Sequence, residues 1–395
     1  MLAKVHSGYV MGIKAFPIDV EVDISHGLSC FSVVGLPDTS IRESRDRIRS
    51  AIKNSRFTFP SGKITVNLSP ASIKKEGAGF DLPIAIGILA ASGLIKQDEL
   101  ENIVLCGELA LNGRVKHFKG ALAIAMSFKN KFKNFIFSEK NAQEAAYIKD
   151  LNVYATPSLR KTVEHIKHIN PLEITLAEKK IHCISANKDL DFKDVKGQEY
   201  AKRGLEVAAS GGHNILLIGP PGSGKSMLAK RFSGILPDIT IEESLETTTI
   251  HSASGELKSS YLITQRPFRS PHHTISYAAM AGGGSSPMPG EISLAHNGIL
   301  FLDEFPEFRR DVLETLRQPL ESGEITITRM QNSLKYPCRF LLIAAMNPCP
   351  CGYFTDPHKN CQCTSHQIQR YLSKISGPLL DRIDIHIEVP RLNYE

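Results

Sequence analysis

The sequence predicts two α/β units in succession, and three observations predict it. Strand-length apolar runs alternate with helix-compatible stretches through both halves, with no repeat period. Residues 170–192, "NPLEITLAEKKIHCISANKDLDF", lose that apolar periodicity and read as a linker. Beyond them, "GPPGSGKS" at 219–226 joins an apolar strand, "NILLI", to a helix-compatible segment, "MLAKRF". The expected division is therefore a first unit over 1–169, a linker over 170–192 and a second α/β unit over 193–395.

Bulk properties fit this division. A chain of 395 residues can bury two ordinary cores, and 42% hydrophobic with 22% charged residues excludes fibrous and disordered classes. A net charge of +6 permits an anionic partner such as nucleic acid but does not require one. No apolar stretch follows Lys4 in the manner of a signal peptide, and the longest apolar run, 82–95, is too short to span a bilayer. Eight cysteines without an export signal point to reduced thiols or metal ligands. A cytoplasmic chain without a membrane partner is expected.

In the first unit, "ITVNLSPA" (64–71), "NIVLCGELALNG" (102–113) and "NFIFSE" (134–139) read as strands, with helices over 82–93 and 119–129. A further helix follows Asp38, Thr39 and Ser40, any of which suits its N-terminal cap. On it Arg42, Arg45, Arg49, Lys53 and Arg56 recur at three- and four-residue intervals. The stripe is either a solvated face balanced by Glu43 and Asp46, the preferred reading, or a track for phosphates.

The second unit carries the chemistry. In Gly219, Pro220, Pro221, Gly222, Ser223, Gly224, Lys225 and Ser226 the pattern G-x-x-x-x-G-K-S supplies backbone N–H groups at a helix start, which bind phosphate. Lys225 is expected to reach the β- and γ-phosphates of ATP, and Ser226 to ligate Mg²⁺. Val195 and Gly197, in the segment that opens this unit, complete the expected nucleotide contacts. The strand "GILFLDE" (298–304) ends in Asp303, expected in the Mg²⁺ shell, and Glu304, expected to polarise the attacking water. The strand "FLLIAAMN" (340–347) ends in Asn347, which either orients that water or simply turns the chain. Arg382, in "GPLLDRIDIH", is either a catalytic cation or a local ion-pair partner of Asp381 or Asp384.

Between these strands and Arg382 stands "MNPCPCGYFTDPHKNCQC", whose Cys349, Cys351, Cys361 and Cys363 are spaced C-x-C-x₉-C-x-C. Four thiolates suit tetrahedral Zn²⁺ and leave no open position, which is a structural rather than a catalytic site. His358 and His366 are nearby alternatives for one sulfur, and a loop of reduced thiols is the other reading. Cys30, Cys106, Cys183 and Cys338 need no role beyond packing.

Several stretches together resemble the magnesium-chelatase-like branch of AAA+ ATPases, and within it the ComM/YifB family. They are 266–308, "AAMNPCPCG" (344–352), "VVGLPDTSIRESRDRIRSAIKNSRFTFP" (33–60) and "KKEGAGFDLPIA" (74–85). The resemblance covers essentially the whole chain. It implies that Asn347 is the residue sensing the γ-phosphate, that Arg382 is an arginine finger serving a neighbouring subunit, and that the chain assembles as a hexameric ring. It implies a Lon-protease-like α+β first domain followed by an AAA+ P-loop core. The Ser–Lys dyad of Lon enzymes is absent: the serine position falls on Gly79 and the lysine position on Leu122, with Lys119 nearby but without a serine to activate, so no protease activity is expected. Relatives of this kind continue into a helical lid bearing another arginine, whereas this sequence ends at "VPRLNYE", so the lid is expected to be missing.

The activity so implied is that of an ATP-driven DNA motor, a branch-migration helicase or translocase supporting natural transformation. A chelatase-like ATPase that remodels a protein partner, and a regulator that binds ATP without turning it over, are the alternatives. Two segments are expected to reach the substrate. One is a hairpin within 322–342, with Ile325, Ile327, Tyr336, Cys338 and Phe340 alternating and Arg329 and Lys335 near its tip. The other is a glycine-rich insert beginning at Arg266, lined by Arg266, Arg269, His272 and His273.

Overall fold

The computed structural model describes residues 2–73, 75, 77–177, 190–257, 262–283, 288–329, 332–354 and 356–392. The chain forms two compact units, Met1–Lys179 and Lys180–Glu395. Among the described residues no helix is long and apolar enough to cross a membrane.

The first unit is built on a long hairpin, β1 (Leu2–Met11) and β2 (Lys14–Ser25), followed by β3 (Cys30–Val34), helix α1 (Thr39–Asn54) and β4 (Lys63–Ser69). Then come α2 (Asp81–Ala91), β5 (Ile103–Leu105), a ribbon of β6 (Glu108–Leu109) and β7 (Val115–Lys116), α3 (Ala121–Phe128), β8 (Asn134–Ser138), α4 (Glu139–Ala145), β9 (Asn152–Thr156) and α5 (Leu159–Ile166). Seven strands make one mixed sheet in the order β3-β4-β2-β1-β5-β8-β9. Strict alternation drives the hairpin: Ala3, Val5 and Ser7 of β1 and Ile18, Val20 and Val22 of β2 are all buried. Helix α2 is buried on every side, as a helix apolar all round must be. Its first residue, Asp81, is 1% exposed and receives Arg47 Nε at 3.0 Å, Arg47 Nη2 at 3.3 Å and the Leu109 N–H at 3.2 Å. Burial nevertheless pushes the Asp81 carboxyl up to about 6.

Asp38 is the residue that caps α1, its Oδ1 accepting the Ile41 N–H at 2.9 Å. Arg45, Arg49 and Lys53 on this helix, and Arg56 two residues past its end, are exposed beside exposed Glu43 and Asp46, and Arg49 lies over the Phe59 ring. The Arg42 side chain lies outside the described part.

The linker read over 170–192 is shorter at both ends. Thr175 donates its N–H to Val153 O at 2.8 Å and Ile174 bridges Tyr154, so residues 174–175 add to the edge of the first sheet at β9. At the other end Phe192 is 8% exposed within the second core. Both segments keep apolar residues at spaced positions, which burial recruits despite the polar surroundings. Residues 178–189, Cys183 included, lie outside the described residues.

The second unit runs α6 (Glu199–Gly211), β10 (Ile215–Ile218), α7 (Lys225–Phe232), α8 (Ile241–Ser254), β11 (Phe268–Arg269), α9 (Tyr277–Ala281), β12 (Gly282–Gly283), β13 (Met288–Pro289), α10 (Glu291–Leu294) and β14 (Ile299–Leu302). It continues through α11 (Arg310–Glu314), α12 (Arg317–Ser322), the hairpin β15 (Glu324–Arg329) and β16 (Asn332–Pro337), β17 (Leu341–Met346), α13 (Ser365–Leu372), α14 (Gly377–Leu380) and β18 (Ile385–Glu388). Five parallel strands form its sheet in the order β11-β14-β17-β10-β18. The central ones read as near-continuous apolar runs because helices cover both faces. Since β17 lies between β10 and β14, the loops leaving these three strands emerge side by side, in the crevice where open parallel sheets bind ligands.

The hairpin has the expected pairing, from Glu324 opposite Pro337 to Arg329 opposite Asn332. Arg329 is thus at the turn, its side chain outside the described part. Lys335 is not near the tip: it stands opposite Thr326, and its ammonium lies 3.4 Å from Glu324 at the base. The apolar face of the hairpin, with Ile325, Ile327 and Tyr336 buried, packs inward rather than projecting.

Candidate active site

The phosphate loop leaves β10 and enters α7 through Gly224, whose φ of 96° favours glycine. Lys225 is 8% exposed; its Nζ donates to Gly219 O at 2.7 Å, Pro220 O at 2.9 Å and Asn347 Oδ1 at 3.2 Å. Burial lowers its pKa below the ordinary lysine value, opposed by nearby Asp303. One residue on, Ser226 Oγ donates to Asp303 Oδ2 at 2.6 Å. Register explains the meeting: Ile218 pairs with Met346 and Leu302 with Ala344, so Gly219, Asn347 and Asp303 all follow the carboxyl ends of adjacent strands. A hydroxyl and a carboxylate at hydrogen-bond distance, beside a lysine and a row of loop N–H groups, suit a Mg²⁺–polyphosphate.

Glu304 follows in a left-handed conformation, φ 53°, and its carboxylate is 2.9 Å from His273 Nδ1. The sequence placed His273 in a substrate-reaching insert; the structure places it on the acid expected to handle water. His272 lies against it, ring centroids 4.1 Å apart and planes tilted by 35°. Arg266 and Arg269 do not line an open loop either. Arg266 binds Glu243 at 3.0 Å and the carbonyls of Pro237 and Asn297, while Arg269 holds Glu291 at 2.6 and 2.7 Å and Glu256 at 3.1 Å. Their charges are neutralised within the unit, so neither is a free cation for a polyanion. Residues 284–287 of the insert lie outside the described residues.

Arg382 stands at the other end of the sheet. Its carbonyl accepts from Asn214 Nδ2 at 3.0 Å, immediately before β10, whereas the phosphate loop begins after β10. The two are separated by the length of the strand, about 15 Å at the usual rise per residue. Its guanidinium meets Glu321 of α12 and Pro378 O. Arg382 therefore does not meet the phosphate loop of its own chain.

A cavity of about 800 Å³ adjoins the phosphate loop. It is lined by Gly222 and Ser223 of that loop, by Val195 and Gln198, and by Arg391 and Leu392. Gly197 acts from behind, where a Cβ would meet Leu392 at 3.0 Å. Gln198 Nε2 ties the parts together by donating to Ser223 O at 3.2 Å and Pro390 O at 2.6 Å. The sequence reading named Val195, which lines this cavity, and Gly197, which does not, but did not name Gln198, Arg391 or Leu392. Only the alternating basic and apolar character of "VPRLN" after the last strand hinted at the latter two.

The four cysteines converge. Cys349 Sγ lies 3.3 Å from Cys351 Sγ and 3.7 Å from Cys361 Sγ, Cys351 and Cys361 are 3.6 Å apart, and all four sulfurs fall within 4.8 Å of one another. Zn–S bonds of about 2.3 Å in a tetrahedron place sulfurs roughly 3.8 Å apart, so the set fits one such ion. Backbone N–H groups of Tyr353 and Gln362 lower the Cys351 thiol to about 6, whereas the Cys361 and Cys363 thiols are raised, against the pull of a backbone N–H, by burial and the neighbouring sulfurs, so the case for a metal rests on the convergence of the sulfurs. His358 is not a ligand substitute: it faces the cavity beside the phosphate loop. In the first unit Leu122 is fully buried in α3, and Gly79 lies in the turn before α2. Lys75, of the same stretch, is buried with its ammonium donating to the carbonyls of Gly35, Leu68 and Pro70.

A parallel sheet whose strand ends present Lys225, Ser226, Asp303 and Asn347 defines a P-loop nucleotide-binding protein. Residues 191–395 match the family described as magnesium chelatase, subunit ChlI, and residues 20–141 match subunit ChlI of Mg-chelatase. The YifB protein of Salmonella typhimurium is 48% identical over 98% of this chain and 76% of its own length. The competence protein ComM of Haemophilus influenzae is 45% identical over 99% of this chain and 77% of its own. The magnesium-chelatase 38 kDa subunit of Rhodobacter capsulatus is 25% identical over 40% of this chain and 50% of its own. The chain belongs to the ComM/YifB family of magnesium-chelatase-like AAA+ ATPases.

Proposed function

We propose that this chain is an ATP-hydrolysing motor acting on DNA, a branch-migration helicase or translocase that supports recombination of incoming DNA. Lys225 and the N–H groups of 222–226 hold the phosphates, Ser226 and Asp303 hold Mg²⁺, Glu304 activates water, and Asn347 reports the γ-phosphate. The observation that carries the motor reading is the position of Arg382, at the far end of the sheet from the loop it is expected to serve. A cation so placed serves hydrolysis only from a neighbouring subunit, which calls for a ring, and family resemblance makes that ring a hexamer. DNA as the substrate is supported by the competence protein among the close relatives. The Cys349, Cys351, Cys361 and Cys363 cluster is read as a structural Zn²⁺ site. The first unit is read as a Lon-protease-like module for assembly or binding without protease chemistry.

The chelatase-like reading, in which the motor remodels a protein partner, rests on the two magnesium-chelatase family matches. Steady-state hydrolysis with and without single-stranded and forked DNA, beside a Glu304→Gln control, decides between them. A DNA-dependent rise that the control abolishes is expected. Hydrolysis that ignores DNA but responds to a chelatase partner would replace the DNA reading.

A further inference from the structure

We infer that the four-cysteine loop is a wall of the nucleotide site, and that His358 and Arg391, held in place by the metal-stapled loop, grip the nucleoside end of the bound nucleotide. This rests on the nucleotide reading above and extends it to a part of the chain so far assigned only a structural role.

Three contacts carry it. Gly352, directly after Cys351, has φ 86°, and a Cβ there would come within 2.6 Å of Pro221 Cδ. The cysteine loop therefore lies on the phosphate loop itself, at a distance only glycine permits. His358, midway between the two C-x-C pairs, borders the same cavity as Gly222 and Val195. Asp356 fixes that placement from within. Its side chain is fully buried, Oδ1 accepts the His358 N–H at 2.8 Å and the Lys359 N–H at 3.3 Å, and Arg391 Nη1 approaches Oδ2 at 4.0 Å. Asp356 Oδ2 is otherwise without a hydrogen-bond partner among the described residues, an unusual state for a buried carboxylate. The buried Asp356 carboxylate thus lies within ion-pair distance of Arg391, which lines the same cavity.

The chemistry at this end suits a nucleoside. Val195 and Leu392 offer an apolar slot for a base, while His358 and Arg391 offer an imidazole and a planar cation for the ribose and the first phosphate. Without a metal, the segment between Cys351 and Cys361 loses the anchor at both its ends. The wall then loses its fixed position and the nucleotide its contacts there. Metal occupancy and nucleotide affinity are thereby coupled through this one loop.

The test uses the whole chain, with ADP binding by isothermal titration, metal content by elemental analysis and thermal melting. His358→Ala is expected to keep one Zn²⁺ per chain and the parental melting point while weakening ADP about five- to tenfold, the worth of one hydrogen bond or stacking contact. Cys361→Ser is expected to lose the metal and weaken ADP at least as much, and re-adding Zn²⁺ to chelated parent restores affinity. If both variants and the chelated parent bind ADP as tightly as the untreated parent, while Lys225→Ala does not bind, the inference fails and the nucleotide reading stands. A parent that holds no metal and gains nothing from Zn²⁺ also overturns it. A parent that binds no ADP at all overturns both.

Discussion

His273 Nδ1 lies 2.9 Å from Glu304 Oε2, so the acid that follows the apolar strand β14 is held by the segment beginning at β11. A carboxylate engaged by an imidazole is less available to take a proton from water. Replacing His273 by Ala is expected to raise basal ATP hydrolysis about two- to fivefold, a modest factor because the pair is partly exposed. Glu304→Gln should abolish hydrolysis in either background. A coupled-enzyme ATPase assay reads this directly, and a fall in rate for His273→Ala would instead make the imidazole a necessary orienter.

The short bond from Ser226 to Asp303 marks where Mg²⁺ is expected to sit. Ser226→Ala should raise the Mg²⁺ concentration for half-maximal hydrolysis about tenfold or more, with a smaller change in nucleotide affinity without metal. Titrating Mg²⁺ at saturating ATP measures it.

Arg382 should matter to a neighbour's site and not to its own. Arg382→Ala is expected to bind ADP like the parent and to lose hydrolysis about a thousandfold. Mixing Arg382→Ala with Glu304→Gln chains, each inactive alone, should restore part of the rate, because some sites then combine an intact acid with an intact cation. No recovery on mixing, in rings shown to be mixed, would count against action across subunits.

The ion pair of Asp81 and Arg47 governs the stability of the first unit. Arg47→Ala leaves a buried carboxylate without its cation and should cost about 3 kcal/mol at pH 7. The sign of the pH dependence follows from the direction of the shift. The folded-state value, about 6, lies above the ordinary 3.8, so this group's contribution is present at low pH and is lost as pH rises through about 6. Loss of the guanidinium raises that value further. The gap in melting temperature between variant and parent should therefore narrow as pH falls from 7 toward 5.

Much of the phosphate site was legible because it is local. Lys225 and Ser226 sit in one contiguous motif, and Asp303 and Asn347 each end an apolar run that can only be a buried strand. The cavity beside the phosphate loop was not legible, because it is assembled across the chain: Gln198 bonds to the carbonyl of Pro390, 192 residues away. Charge alone misled at Arg266 and Arg269, whose partners Glu243 and Glu291 come from other elements. In the first unit the β1/β2 hairpin went unread, although alternation at Ala3, Val5, Ile18, Val20 and Val22 was there to be seen. The linker margins failed for a different reason, since a few apolar residues in polar surroundings reveal their burial only once a sheet edge or core is present to receive them.

The placement of β17 also bears on how this chain can change in length. Hydrogen-bonded to β10 on one side and β14 on the other, it has no free edge along which to slide. A single residue gained or lost between Leu341 and Asn347 would turn every following side chain to the opposite face and carry Asn347 away from Lys225. A few residues beyond, the segment from Pro357 to Asn360 is exposed and lies between fixed points at Cys351 and Cys361. Insertions there would leave β17 and its register intact, while changing the reach of His358 and its hold on Asp356. Between Leu341 and Asn360 the chain thus passes from a buried strand that tolerates no change of length to an exposed turn in which the cost of a change is confined to the two N–H groups that Asp356 holds.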